Sequence, residues 1–154
     1  MILAGLFPGS IDNQYGGRKV ALWLLGALVL AKGLMGLNCI FNGYTVATTK
    51  DGIPLSTFTP AGANAVVTFL GVWGFELLLL SLLGVLALIR YRAMVPLMFL
   101  LLFVEQAGRR AIFSAMPIAG SGDAPAVSIN TVICGLTLLG LVLSLWPRKA
   151  KVST

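Results

Sequence analysis

At 154 residues the chain is 58% hydrophobic and only 10% charged, with a mean hydropathy of +0.95. Soluble domains carry about 25% charged residues, so this composition cannot cover a water-facing surface. The net charge of +6 does not point to nucleic acid, because the basic residues sit in small groups at the ends of apolar runs, and two cysteines without a histidine argue against zinc or haem ligation.

The length fits one domain. Residues Met1 to Gly17 are mixed, with Pro8, Gly9, Gly16 and Gly17 as breakers. The run MILAGLF is too short for a signal-peptide core and has no basic region before it. It reads as a short cytoplasmic or interfacial arm, with an amphipathic anchor as the alternative. Arg18 and Lys19 flank a first span, residues 20–41, which Lys32 interrupts. That length crosses a hydrocarbon core of about 30 Å at about 1.5 Å per residue.

Residues 42–64 are polar and turn-rich. Within them TVATTKDGIPLSTF has two β-prone arms about Asp51-Gly52. This pattern predicts a small hairpin in the outer loop, with an irregular loop as the alternative. The second span, residues 65–89, contains Glu76, and Arg90-Tyr91-Arg92 makes a basic turn. The third span, residues 93–113, has Pro96 early enough to fit a first turn. Ser114 to Pro125 is a second outer loop in which Asp123 and Pro125 suit a helix start. The fourth span is residues 126–146, and Arg148, Lys149 and Lys151 follow it.

The predicted fold class is therefore all-α: an antiparallel bundle of four transmembrane helices. With four spans, Arg18, Lys19, Arg90, Arg92, Arg148, Lys149 and Lys151 fall on one side, and the opposite loops hold Lys50 as their clear base. The positive-inside rule places both termini in the cytoplasm, as expected of a bacterial cytoplasmic-membrane protein. Trp23, Tyr91 and Trp146 fit an inner aromatic belt, and Tyr44 and Trp73 an outer one.

Counting from the basic ends, Lys32 is 13 residues from Lys19, Glu76 is 14 from Arg90, and Glu105 is 13 from Arg92. At helical rise all three lie roughly 20 Å above the inner boundary. Arg109 and Arg110 stand about one turn higher. Each such charge costs about 2.5–3.5 kcal/mol at mid-helix, so they require partners. Lys32 and Glu76, on successive helices, are the expected pair. Glu105 with Arg109, and Gln106 with Arg110, share the i,i+4 spacing of local pairs. The expected intramembrane polar network is thus Lys32, Glu76, Glu105, Gln106, Arg109, Arg110 and Asn130.

Asn130, Cys134, Thr137, Leu141 and Ser144 form one stripe on the fourth helix, and Lys32, Gly36 and Cys39 a similar one on the first. On the second helix Gly71, Gly74, Ser81 and Gly84 lie over 100° round from Glu76, counting about 100° per residue. Close helix packing and the charge therefore address different neighbours. Cys39 and Cys134 differ in depth by roughly 10 Å at helical rise, which favours two unpaired thiols over a disulfide. Arg109 and Arg110 have the alternative of reaching outer-leaflet phosphates.

Two segments carry a family resemblance: AKGLMG at Ala31 to Gly36, and ELLLLSLLGVLALIR at Glu76 to Arg90. In these the chain resembles the DoxX-like group of small four-helix bacterial membrane proteins. It departs from the group in its midway Glu76, its long outer loop and its EQAGRR segment. The resemblance implies a compact four-helix bundle, and members of the group are linked to quinone-coupled sulfur oxidation and redox-stress complexes. Three functions stand open at this point. The first is a non-catalytic membrane subunit that packs against other membrane-protein subunits or lipid. The second is a small carrier or proton-handling protein using Lys32, Glu76 and Glu105. The third is a quinone- or thiol-linked redox protein. No metal or cofactor site is expected, with contact to lipid or quinone left open. The charged layer itself reads as a static knot fixing helix register, as a ligand pocket, or as a conducting path.

Overall fold

The computed structural model describes residue 6 and residues 8–117 and 125–146. Four long helices make up most of these: α1 (Lys19–Phe41), α2 (Pro60–Ile89), α3 (Val95–Ala115) and α4 (Pro125–Leu145). No strand occurs among the described residues. α1, α2 and α4 are long and apolar enough to cross a membrane. α3 matches them in length, but Glu105, Arg109 and Arg110 lower its hydropathy. Large apolar side chains such as Leu30, Leu34, Phe75, Leu82 and Val132 face outward, as the bilayer requires of a lipid-facing surface.

Helix starts follow local chemistry. The hydroxyl of Thr59 accepts from the Gly62 N–H at 3.2 Å, and Pro60 occupies the first turn of α2. There its missing N–H costs nothing. This cap starts α2 five residues before the expected boundary at 65. Pro96 sits in the first turn of α3. Pro125 opens α4, while Asp123, the other expected start signal, lies outside the described residues, as do Arg148, Lys149 and Lys151.

The expected hairpin is replaced by helix. After a break at Asn42 the chain turns helically through Gly43–Thr45 and then Val46–Lys50, a wider turn closed by Asp51 N–H donating to the Val46 carbonyl at 3.0 Å. The hydroxyls of Thr48 and Thr49 donate back to the carbonyls of Tyr44 and Thr45 at 2.9 and 2.7 Å. These bonds serve the helical backbone, outweighing threonine's preference for strands. Asp51-Gly52 is a helix stop, not a hairpin turn: Gly52 has φ 68°, the left-handed conformation that glycine supplies past a helix end. A short turn at Leu55–Thr57 then leads to α2.

α1 and α2 approach closely along small residues. A Cβ placed on Gly36 would lie 2.6 Å from the Gly74 carbonyl, and one on Gly74 would lie 2.6 Å from the Gly36 carbonyl. One turn on, Gly33 faces Ser81, whose hydroxyl donates to the Val29 carbonyl at 2.5 Å. Gly84 packs under Val29. Helices in lipid associate by such close contact and interhelical hydrogen bonds, because lipid offers no hydrophobic drive between them. At the end of the molecule near both termini, Leu25, Val29, Met98, Phe99 and Leu102 form the main apolar core with Ala21, Ala87 and Ile133. A smaller cluster of Ala47, Ile53 and Leu55 packs on α2 at the opposite end.

The N-terminal arm tucks beneath the main core. Asp12 is held by Ser10 and by the Gln14 N–H, and its carbonyl accepts from the Ala93 N–H at 3.2 Å. The Tyr15 hydroxyl donates to the Arg18 carbonyl at 3.3 Å, and burial pushes its pKa up to about 12. The Arg18 N–H donates to the Leu143 carbonyl, and the Arg18 guanidinium lies 5.3 Å from the Trp146 ring centroid. Most of the MILAGLF run lies outside the described residues.

Candidate binding site: a polar bridge beside a cavity

Between the two apolar clusters the interior turns polar. Lys32 comes from the buried stripe of α1 and is only 1% exposed. Its ammonium donates to Glu105 and, at 2.8 Å, to the side-chain oxygen of Gln106. Gln106 is 2% exposed and fully used. Its Oε1 also accepts from Arg109 at 2.8 Å, and its Nε2 donates at 3.1 Å to both the backbone carbonyl and Oδ1 of Asn130. Arg109 donates to Asn130 Oδ1 at 3.0 Å, and its Nε stands 3.8 Å from Glu105 Oε1. The bridge therefore runs from α1 through α3 to α4 and satisfies the buried cation with one anion and one amide.

Glu76 is placed differently from the expectation. It makes no hydrogen bond or ion pair among the described residues, and Glu105 takes its expected place beside Lys32. The cause is rotation. α2 meets α1 through Gly74, Ser81 and Gly84, and Glu76 lies well round from that face. The expected Gln106–Arg110 pairing is also replaced. Gln106 binds Arg109, and the Arg110 guanidinium donates to the Thr131 hydroxyl at 2.5 Å. On α4, Thr137 and Ser144 are buried and donate to the carbonyls of Cys134 and Leu141 at 2.8 Å. Cys39 is buried, Cys134 is partly buried, and both are free thiols.

Beside the bridge lies a cavity of about 900 Å³ between α2, α3 and the start of α4. On α2 it is lined by Val66, Phe69, Leu70, Trp73 and Glu76, a stripe at helical spacings of three and four. On α3 it is lined by Glu105, Gly108, Arg109, Ile112 and Phe113 among others, and on α4 by Ala126, Val127 and Asn130. Asp51 and Ile53 reach it from the segment before α2. Helix order along α2 and α3 puts Glu76 and Glu105 toward the main core. It puts Val66, Phe113 and Asp51 toward the other end.

Trp73, expected in an outer aromatic belt, is here a partner of the polar bridge. The Arg109 guanidinium lies over its ring, 4.5 Å from the centroid, a cation–π contact worth about 2 kcal/mol when shielded from water. The pair was accessible to residue counting, since Trp73 is 17 residues from Arg90 and Arg109 is 17 from Arg92. Asp51 carried no such signal, because a loop residue has no depth until the loop folds. Burial raises its pKa above the ordinary 3.8, and the Arg109 charge opposes that rise. Glu105 Oε1 is buried and accepts no hydrogen bond. Among the described residues no three of the His, Cys, Asp and Glu side chains gather closely enough to hold a metal ion.

Comparison with protein-family models, with curated proteins and with solved structures yields no match.

Proposed function

We propose that this chain is a non-catalytic integral membrane protein: four transmembrane helices, antiparallel, with both termini in the cytoplasm. On this reading the cavity beside the bridge opens in the outer half of the membrane and binds a small lipid-soluble ligand. The observation that carries the proposal is the cavity itself. Its volume of about 900 Å³ falls in the range of small-molecule sites, about 300–1,000 Å³. Its walls are largely apolar, and its polar groups are the bridge residues Glu105, Gln106, Arg109 and Asn130 together with Asp51, Glu76, Arg110 and Ser114. A knot that served only to fix helix register would need no such opening beside it.

The four-helix arrangement is supported by the contacts. Val29, Gly33 and Gly36 meet Gly84, Ser81 and Gly74 in descending order, and Gln106 and Phe99 meet Asn130 and Gly140 in the same sense. The orientation rests on the cluster of bases at one end. In this orientation Glu76 and Glu105 lie at the inner end of the cavity, with Lys32 buried behind Glu105. The subunit reading is supported by α2, whose 30 residues are buried along one narrow stripe, leaving wide faces for other subunits or lipid.

The test is native mass spectrometry of the chain extracted in mild detergent, with and without Gly108→Phe. Gly108 lines the cavity, and a Cβ there would meet nothing within 4 Å, so a large side chain can branch from this position into the space. The expected result is a small-molecule adduct on the natural chain that the variant lacks, at equal helicity. Equal adducts on both, or a co-purifying protein with no adduct, would count against the ligand reading, and the second outcome favours the subunit reading.

A further inference from the structure

We infer that the cavity takes a lipophilic organic cation, with the Glu76 carboxylate as its counter-charge. The inference rests on the ligand-binding reading above and adds to it the sign and class of the ligand.

The argument is one of which groups are already engaged. Both guanidiniums at the cavity have protein acceptors: Arg109 has Gln106, Asn130 and the Trp73 ring, and Arg110 has Thr131. Lys32 is buried behind the bridge with Glu105 and Gln106. The carboxylates are different. Glu76 has no partner among the described residues, and Glu105 Oε1 accepts nothing. Glu76 thus stands as an acceptor without a donor at the end of the cavity where α2 and α3 place these two side chains, and Glu105 Oε1 has Arg109 Nε at 3.8 Å as its one cationic neighbour on that side. A ligand that supplies a positive charge or a donor there completes the site, while an anion would meet Glu76 and Glu105.

The walls narrow the class further. A hard inorganic cation requires about six oxygen ligands, and no acidic group of the described residues gathers three ligands. Phe69, Trp73 and Phe113 line the cavity with Val66, Leu70 and Ile112. Such walls suit apolar substituents around a single charge, and a cation left in a largely apolar space gains from aromatic faces. An ammonium or phosphonium with hydrocarbon groups meets each requirement. Glu76, exposed and unpartnered on a helix that crosses the apolar layer, is then explained as a binding group, where an unpaired carboxylate at that depth is otherwise a cost.

The experiment uses the full chain in lipid nanodiscs and two probes of the same shape and opposite charge, tetraphenylphosphonium and tetraphenylborate. Binding is read by equilibrium dialysis after subtracting protein-free nanodiscs. The expected result is saturable binding of tetraphenylphosphonium that Glu76→Gln weakens by about tenfold or more, close to one unpaired ionic contact. Glu76→Asp retains most of it and Gly108→Phe abolishes it. Preference for tetraphenylborate overturns the inference and leaves the cavity reading standing. Phosphonium binding that Glu76→Gln leaves unchanged also overturns the inference. Binding of neither probe, with Gly108→Phe indistinguishable from the natural chain, overturns both. Glu76 has no protein partner to lose, so circular dichroism of Glu76→Gln should match the natural chain.

Discussion

Replacing Lys32 by methionine removes the ammonium while keeping a long apolar side chain in the space. The change leaves Glu105, 17% exposed, with Arg109 Nε at 3.8 Å as its remaining cationic neighbour. Breaking a buried ion pair from one side costs about 3–5 kcal/mol, because the other charge stays buried. Arg109 offsets part of this, so the expected loss is near the lower end, about 3 kcal/mol. Glu105→Gln strands Lys32 with Gln106 alone and should cost a similar amount. In the double variant neither charge remains to be stranded. Its loss should therefore be no larger than that of either single variant, about 3 kcal/mol at most, and not the sum of about 6, a coupling at or above the upper end of what contacting pairs show. For a chain of this size a loss of about 3 kcal/mol is a drop of roughly 6–12 °C in Tm. Thermal melting in one detergent, followed by circular dichroism, reads all four chains. If the single effects add to within about 0.5 kcal/mol, Lys32 and Glu105 do not act as a pair and the bridge is wrongly drawn.

Two further outcomes follow from the packing and the loop. Gly74→Ala puts a Cβ 2.6 Å from the Gly36 carbonyl and should destabilise by about 1–3 kcal/mol, whereas Gly71→Ala, with nothing within 4 Å, should be neutral or slightly stabilising; equal effects on Tm would place the helix contact elsewhere. Asp51 has a folded-state pKa above the ordinary 3.8, so the folded chain holds its proton to higher pH than the unfolded one does. Its contribution is most favourable below about pH 3.8 and is lost as pH rises through the folded value. Asp51→Asn should therefore gain in Tm relative to the natural chain as pH increases from 4 to 7, and a difference that stays flat or shrinks over that range contradicts the burial of this carboxylate.

Much of the layer of charge was legible because helical rise converts residue number into depth. Counting from the basic ends brought Lys32, Glu76 and Glu105 to one level, and the same count pairs Trp73 with Arg109. Depth alone could not choose between Glu76 and Glu105 as the partner of Lys32, since both stand at the right height. Rotation chose. The glycines of α2 dictate which of its faces meets α1, and Glu76 is on another. The small-residue pattern already held that information, and it outranks the appeal of matching depth on neighbouring helices.

The segment between α1 and α2 misled for a different reason. TVATTKDGIPLSTF satisfies the local signature of a hairpin, but hairpin pairing offers threonine hydroxyls no special acceptor. Continuing the helical path of α1 gives Thr48 and Thr49 carbonyls one turn back and lets Gly52 end the turn. The cavity had no sequence signature of its own. It arises from the separation of α2 and α3 where their apolar and charged stripes face one another, and a separation between helices is not a property of either stripe. Only the stripes were readable: Phe69, Trp73 and Glu76 on α2, and Glu105, Gly108, Arg109 and Ile112 on α3.

The claim that this polar bridge borders an open, outward-facing cavity is tested most directly by thiol labelling in sealed, oriented membranes. In a chain carrying Cys39→Ser and Cys134→Ser, a single Gly108→Cys lines the cavity, and a single Ala87→Cys lies in the closed core, 2% exposed. A membrane-impermeant cationic thiol reagent applied from the outer side should modify the first and leave the second untouched. Protection of Gly108→Cys from that side, to the same degree as Ala87→Cys, would contradict the cavity and the function proposed for it.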